Sequence, residues 1–333
     1  MSLQTVALVV LVGGAISLTA SADPAELSQP PKGALAGDRY RVVVSTDIGG
    51  SDPDDFQSMV HFLLYADVLD VEGLVSSPPQ AGRAKHIHEV IDAYEKDYPH
   101  LRAHAPGYPE PDVLRGLVKQ GAADSAPAQG YSDATEGSKW IIERAKAQDD
   151  RPLYVLVWGS VTDVAQAVHN APEIKQKLRV YSIGSWNTGQ DRAARDYLFN
   201  NHPDLWWIES DTTFRGMYVG GNQAGDLDNR AFLDQHVRGH GALGDFLVAK
   251  LGAIKMGDTP SVLYLFRGDA ADPTGDHWGG SYAATDHGPH YWTDRTDPAL
   301  AETRYPGAKT VNMWRESYLR DWQTRMDRVL PTQ

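Results

Sequence analysis

Apolar residues arrive along this chain in two alternating rhythms. Tyr40 to Ser45 (YRVVVS) is a short β-branched run with the pattern of a buried strand, and it stops at a Gly-containing acidic loop, Thr46 to Asp55. From Phe56 to Ala66 the apolar residues Phe56, Met59, Val60, Leu63 and Leu64 recur at helical spacing, and Val68 to Ser76 (VLDVEGLVS) supplies a second strand. Strand, helix, strand over so short a length predicts a βαβ unit, whose usual setting is a parallel sheet. The alternation continues with a polar helix over 82–98, a Pro- and Gly-rich excursion over 108–130 and a helix over 135–147. A strand over 153–158, the turn Gly159-Ser160, a helix over 162–168, a strand over 178–183, a helix over 193–200 and a strand over 205–208 complete it. This pattern predicts an α/β fold: an open, mostly parallel sheet with helices on both faces, reactive groups gathering beyond the carboxyl ends of the strands. The Trp-, Gly- and His-rich stretch Asp269 to Thr293 has no period and reads as long loops.

Composition narrows the setting. At 333 residues and 41% hydrophobic content the chain can bury one large core, here expected over 40–333. Val6 to Ala20 is apolar and ends in small residues, with Ala20-Ser21-Ala22 as a cleavage pattern before Asp23. Residues 1–22 therefore read as a signal peptide and 23–39 as a tether, which implies a periplasmic or secreted protein, although the leader lacks Lys or Arg. The stretch is shorter than a bilayer-crossing helix, so no stable membrane span is expected. The absence of cysteine removes thiolate and disulfide chemistry. Forty-four acidic against 31 basic residues, a net charge of -13, argues against a nucleic-acid polymer as partner and suits small neutral substrates or cations. Homo-oligomer formation stays open.

The most informative segment is TDIGGSDPDD. Asp47, Asp52, Asp54 and Asp55 crowd between a buried strand and a helix. Grouped carboxylates repel unless a hard cation lies between them, and oxygen ligands of this kind suit calcium or magnesium. Helix capping and the helix dipole account for one aspartate comfortably but not for four next to Gly49-Gly50. The adjacent glycines and following anions do not fit a dinucleotide fingerprint, nor does the spacing fit a helix-loop-helix calcium loop.

The strand ending in Thr46-Asp47, the Asp54-Asp55 pair opening an apolar helix and the strand VEGLVSS resemble the amino terminus of the inosine-uridine-preferring nucleoside hydrolases. TDIGGSDPDD with FQSMVHFLLYA, then RVYSIG, GDTPSVLYLF and HWGGSY, resemble more closely the nucleoside hydrolase-like branch described as cellulose-binding, from Arg41 to about Tyr282. The resemblance implies calcium held by Asp47, Asp54, Asp55, the backbone carbonyl of Trp158 (in WGSVTD) and Asp258, with Asp52 as an alternative to one of the pair. It implies glycosidic hydrolysis of a nucleoside or a small furanosyl or glycosyl substrate, with Asp47 as general base. Two departures stand out. Gly257 occupies the place of the family's histidine, and the segment 182–203 offers Asn187, Gln190, Asp191, Asp196 and Asn200 without a clean match to the sugar-binding residues.

The leaving group needs a proton, for which His277 is the favoured donor, ahead of His86, His287 and His290; no single one of 12 histidines is distinguished by sequence alone. Trp278, together with Trp158, Trp186 and Trp292, can stack on a sugar or base or simply fill the core. The expected substrate contacts are Asp52, Asn187, Asp191, Asp196, Asn200 and Trp278, and the loop over 269–293 is expected to cover the pocket. No nucleophile elbow supports an acyl-transfer triad around Asp286-His287, and His86-x-His88-Glu89 lacks the spacing of a helical zinc site. The competing reading is a non-catalytic carbohydrate-binding protein with a structural calcium and a tryptophan strip. Its partner would be an oligosaccharide or a cellulose-like polysaccharide.

Overall fold

The computed structural model describes residues 32–50, 52–77 and 81–331; the expected signal peptide and most of the expected tether lie outside them. Eight strands form one sheet: β1 (Arg41–Thr46), β2 (Asp70–Ser76), β3 (Val118–Gln120), β4 (Leu153–Val157), β5 (Leu178–Ile183), β6 (Trp207–Ser210), β7 (Tyr282–Ala284) and β8 (Tyr291–Asp294). Their order is β3-β2-β1-β4-β5-β6-β8-β7. Every neighbouring pair is parallel except β7 with β8. The helices are α1 (Asp54–Leu64), α2 (Ala84–His104), α3 (Pro111–Leu117), α4 (Glu136–Ala145), α5 (Thr162–Asn170) and α6 (Trp186–Gln190). They continue with α7 (Arg192–Asn201), α8 (Asn229–His236), α9 (Gly241–Lys250), α10 (Thr259–Phe266), α11 (Lys309–Asn312) and α12 (Arg315–Met326).

The central strands are apolar on both faces because helices cover both. Val42 and Val44 of β1, with Tyr154 and Leu156 of β4, enter one core beneath α1, α2, α8, α9, α10 and α12. Val43, Leu153, Val155 and Val157 enter the other, beneath α4, α5 and α7. The first layer is so deep that α1 and α10 have almost no face to water: Gln57, Ser58 and His61 of α1 are buried along with its apolar residues, as are all eight residues of α10.

Three strands depart from the sequence expectation. β3 and α3 lie inside the Pro- and Gly-rich excursion, and β7 and β8 lie inside the stretch expected to be loops. These strands have three, three and four residues, too short for a period to register, and their pairing is decided by neighbours distant in sequence. β6 also runs later than the 205–208 expected, to Ser210.

At its amino end β1 places Arg41 in the interior, fully buried. Its Nε and Nη2 donate to the two carboxylate oxygens of Glu72 at 2.6 and 2.9 Å, and its Nη groups also donate to the carbonyls of Arg151 and Arg144 at 3.1 and 2.6 Å. Arg144 Nε donates to Glu72 at 3.1 Å, and Arg151 pairs with Asp70 and Asp149 beside it.

Candidate functional site

At the carboxyl end of β1 the chain turns sharply. The amide of Gly50 donates to the Asp47 carbonyl at 2.8 Å, and Gly49 takes a φ of 86° with His86 pressed against it, so a β-carbon there would lie 2.0 Å from His86 Nδ1. On the other side Gly159, after β4, approaches Asp47 so closely that a β-carbon would lie 2.9 Å from that of Asp47. Thr46 receives the Ile48 amide on its Oγ1 at 3.0 Å and donates its hydroxyl to Asp55 in a short hydrogen bond. Asp54 and Asp55 open α1, and Asp258 stands at the start of α10.

These segments converge on a cavity of about 240 Å³ lined by Asp47, Asp52, Asp54, Asp55 and Asp258, with Trp158, Trp186, Asn187, Phe214, Arg215, Tyr218 and Lys255 among its other walls. Oxygens of Asp54, Asp55 and Asp258 all lie within 4.8 Å of one another, a spacing a metal ion can bridge. Burial raises all of these carboxyls: Asp47 to about 6, Asp54 to about 7 with the Asp52 charge adding to burial, and Asp55 and Asp258 well above the usual range, each pushed further by the neighbouring aspartates. Lys255 pairs with Asp52 and draws Asp54 down, but it does not balance the cluster. Asp258 Oδ2 is buried with no hydrogen-bond partner among the described residues. A converging set of carboxylates with an orphaned oxygen fits a hard divalent cation better than it fits self-association.

The expected ligand residues Asp47, Asp54, Asp55, Trp158 and Asp258 are thus brought together, with Asp52 turned to Lys255. The Trp158 carbonyl accepts from Asn187 Nδ2 at 2.7 Å, and that amide also reaches the Ile183 carbonyl at 3.1 Å, so Asn187 fixes the Trp158 carbonyl as well as lining the cavity. The Trp158 ring is core, its indole donating to Ser261 at 2.8 Å.

Other placements correct the sequence expectation. His277 does not line the cavity; it is buried, stacked on Tyr264, with its ring nitrogens 3.2 Å from the Tyr264 carbonyl and 2.9 Å from the Asp272 carbonyl. Burial lowers its pKa, so it serves as packing and not as an acid at the cavity. Trp278 is buried beneath Arg267 and also stands apart. Asp191 caps α7 through the Ala194 amide and accepts from Thr162 and Ala126. Asp196 lies beside Arg195, and Asn200 is exposed near the end of α7. α7 belongs to the opposite helical layer, which is why none of these three reaches the cavity. The expected covering loop instead forms β7 and β8; His287 stacks on Phe199 and His290 lies against Trp292. His86 flanks the acidic loop from a separate cavity shared with Glu89 and Lys250.

Arg215, Tyr218, Phe214 and Lys255 were missed by sequence reasoning. Lys255 had a signal, three residues before Asp258. Phe214 and Arg215 follow the true end of β6, where an open sheet collects its site residues, and the early end assigned to that strand hid them.

Residues 41–282 match the family described as "Cellulose-binding Sde182, nucleoside hydrolase-like domain". The chain belongs to this family. A nucleoside hydrolase-related protein from Saccharophagus degradans, associated with carbohydrate metabolism, is 27% identical over 89% of this chain and 73% of its own, with a TM-score of 0.71. Two more distant structures share the nucleoside hydrolase-like fold. The plant nucleoside hydrolase PpNRh1 has 14% identity and a TM-score of 0.50 over 86% of this chain and 99% of its own. The type III effector XopQ, solved with adenosine diphosphate ribose, has 11% identity and a TM-score of 0.56 over 88% of this chain and 95% of its own. No curated protein matches the chain. In this nucleoside hydrolase-like frame the acidic cavity sits at the carboxyl edge of the sheet, where β1, β4 and β5 end.

Proposed function

We propose that the protein is a calcium-dependent glycosidic hydrolase acting on a nucleoside or a small furanosyl or glycosyl substrate. The observation that carries this reading is the convergence of Asp47, Asp54, Asp55 and Asp258 from two distant stretches on one open cavity, with Asp258 Oδ2 lacking a partner. Calcium would be held by these carboxylates and the Trp158 carbonyl; when bound it supplies positive charge that gathers sugar hydroxyls and polarises water. Asp47 accepts the proton of the attacking water from its place on the cavity wall at the carboxyl end of β1. The surrounding carboxylates favour the positive charge that develops at the anomeric carbon. Trp186, 62% exposed at the rim, offers a face to the sugar or its substituent. With His277 elsewhere, Tyr218 is the hydroxyl at hand: it accepts from Arg215 Nη1 at 2.9 Å and keeps its own hydrogen for a leaving group.

A second reading, carbohydrate binding without cleavage, is favoured by the family's description and by the lack of any histidine among the described residues lining the cavity. Product analysis with calcium and a panel of nucleosides, aryl furanosides and oligosaccharides separates the two. Release by the native protein should fall by roughly 100-fold or more in Asp47→Asn. Equal release by both proteins would remove Asp47 as the base, and polysaccharide binding without release from any substrate would establish the binding reading.

A further inference from the structure

Arg215 is the unspent charge of the cavity. Its Nη1 donates to Tyr218 Oη at 2.9 Å and its Nη2 to Ser185 Oγ at 3.4 Å, both neutral groups. Its guanidinium lies 4.8 Å from the centre of the Phe214 ring and 4.9 Å from that of Tyr305. Among the described residues no carboxylate forms an ion pair with it, although five aspartates line the same cavity. Lys255, and not Arg215, is the cation that draws Asp54 down.

A guanidinium carries five N–H donors in a planar fork matched to carboxylate and phosphate. Here two are used, and Nε is buried without an acceptor. Two aromatic faces and two hydroxyls hold the fork in place before any ligand arrives, so little order remains to be imposed on binding. Had this arginine served only to offset the aspartates, it would pair with one of them, as Lys255 does with Asp52.

We infer that the ligand of this cavity is a sugar bearing an anionic group, a carboxylate or a phosphate ester, which Arg215 reads while the acidic floor holds the cation and sugar hydroxyls. This rests on the calcium-and-sugar reading of the same cavity and adds the substrate class. Arg215 is its specificity-determining residue, and Trp186 at the same rim accepts the ring.

The test is calorimetric titration of the calcium-loaded protein with matched pairs: glucuronic acid against glucose for the carboxylate, ribose 5-phosphate against ribose for the phosphate. At least one anionic member should bind tenfold or more tightly than its neutral twin, with a preference that shrinks as salt rises. Arg215→Gln should abolish the preference, and Arg215→Lys should restore part of it. The pair that shows the preference identifies the anion. Equal binding of both members of both pairs by the native protein overturns the inference while leaving the calcium-and-sugar reading in place, and so does a preference that survives in Arg215→Gln. Absence of calcium-dependent binding by all four sugars overturns both. If Arg215→Gln fails to fold, Arg215→Lys carries the test, since a preference undiminished in it overturns the role of Arg215.

Discussion

The two ends of β1 handle buried charge in opposite ways. At the amino end Arg41 enters the interior with a bidentate carboxylate from Glu72, two backbone carbonyls, and Arg144 supporting Glu72 in turn. At the carboxyl end Asp47 meets Asp54, Asp55 and Asp258, with a single lysine committed to Asp52. The strand between them is uniformly buried, so the difference lies in the company each end keeps and not in its depth. Buried charge survives where partners satisfy it, as at Arg41; where it is left unbalanced, the fold holds a cost that only something from outside the chain can relieve. The first end is architecture and the second is the candidate site.

The comparison breaks most visibly at Arg41. Arg41→Met should leave Glu72 with a diminished partner set and cost about 3 kcal/mol or more, the scale for removing one member of a buried pair; urea unfolding would measure it, and a loss below about 1 kcal/mol would mean that the network is dispensable. The opposite end should respond with the opposite sign. Asp258→Asn removes one buried carboxyl that its aspartate neighbours repel, so at pH 8 the metal-free protein should resist urea better than the native protein does. Calcium should raise the melting temperature of the native protein and leave that of this variant unchanged. A destabilised variant that still responds to calcium would contradict both halves.

A subtler contrast concerns pH. Asp47 and Asp54 have folded pKa values of about 6 and about 7, above the ordinary 3.8, so the metal-free folded state holds protons that the unfolded chain releases earlier. Their contribution is fully present below about pH 4 and is lost as pH rises through 6 to 7. Calcium should flatten this decline by taking the protons' place. At the other end Asp70 and Asp149 are held below the ordinary value by Arg151 and Arg39, so their contribution appears above pH 4 and is lost on acidification. Melting temperatures from pH 5 to 8 with calcium and with chelator would show the smallest of the three effects, and parallel curves would mean that the carboxylates are not where the proton is held.

Much of the charged end was legible because its grammar is local. An aspartate leaving a β-branched strand and a pair opening an apolar helix each have a fixed place in an open sheet, and Asp47, Asp54 and Asp55 stand where that grammar puts them, whereas Asp258 was placed by the family resemblance. The opposite side of the cavity was legible only at Trp186 and Asn187, both named as candidates. Arg215 and Tyr218 come from a 3₁₀ turn and its following residue, whose position depends on where β6 stops. His277 misled for a related reason: a histidine among glycines and a tryptophan reads as a site residue, whereas the fold buries it, stacked on Tyr264, between the Tyr264 and Asp272 carbonyls.

The burial of α1 on nearly every side divides the cavity into parts with different freedom to vary. A helix wedged between the sheet and α9, α10 and α12 cannot shift without disturbing all of them, so Asp54 and Asp55 are fixed points. The segments that carry Trp186 and Arg215 are short, and these two side chains are exposed and half-buried, respectively. Redesign toward another ligand would begin there, exchanging those few side chains while the carboxylate floor is inherited unchanged.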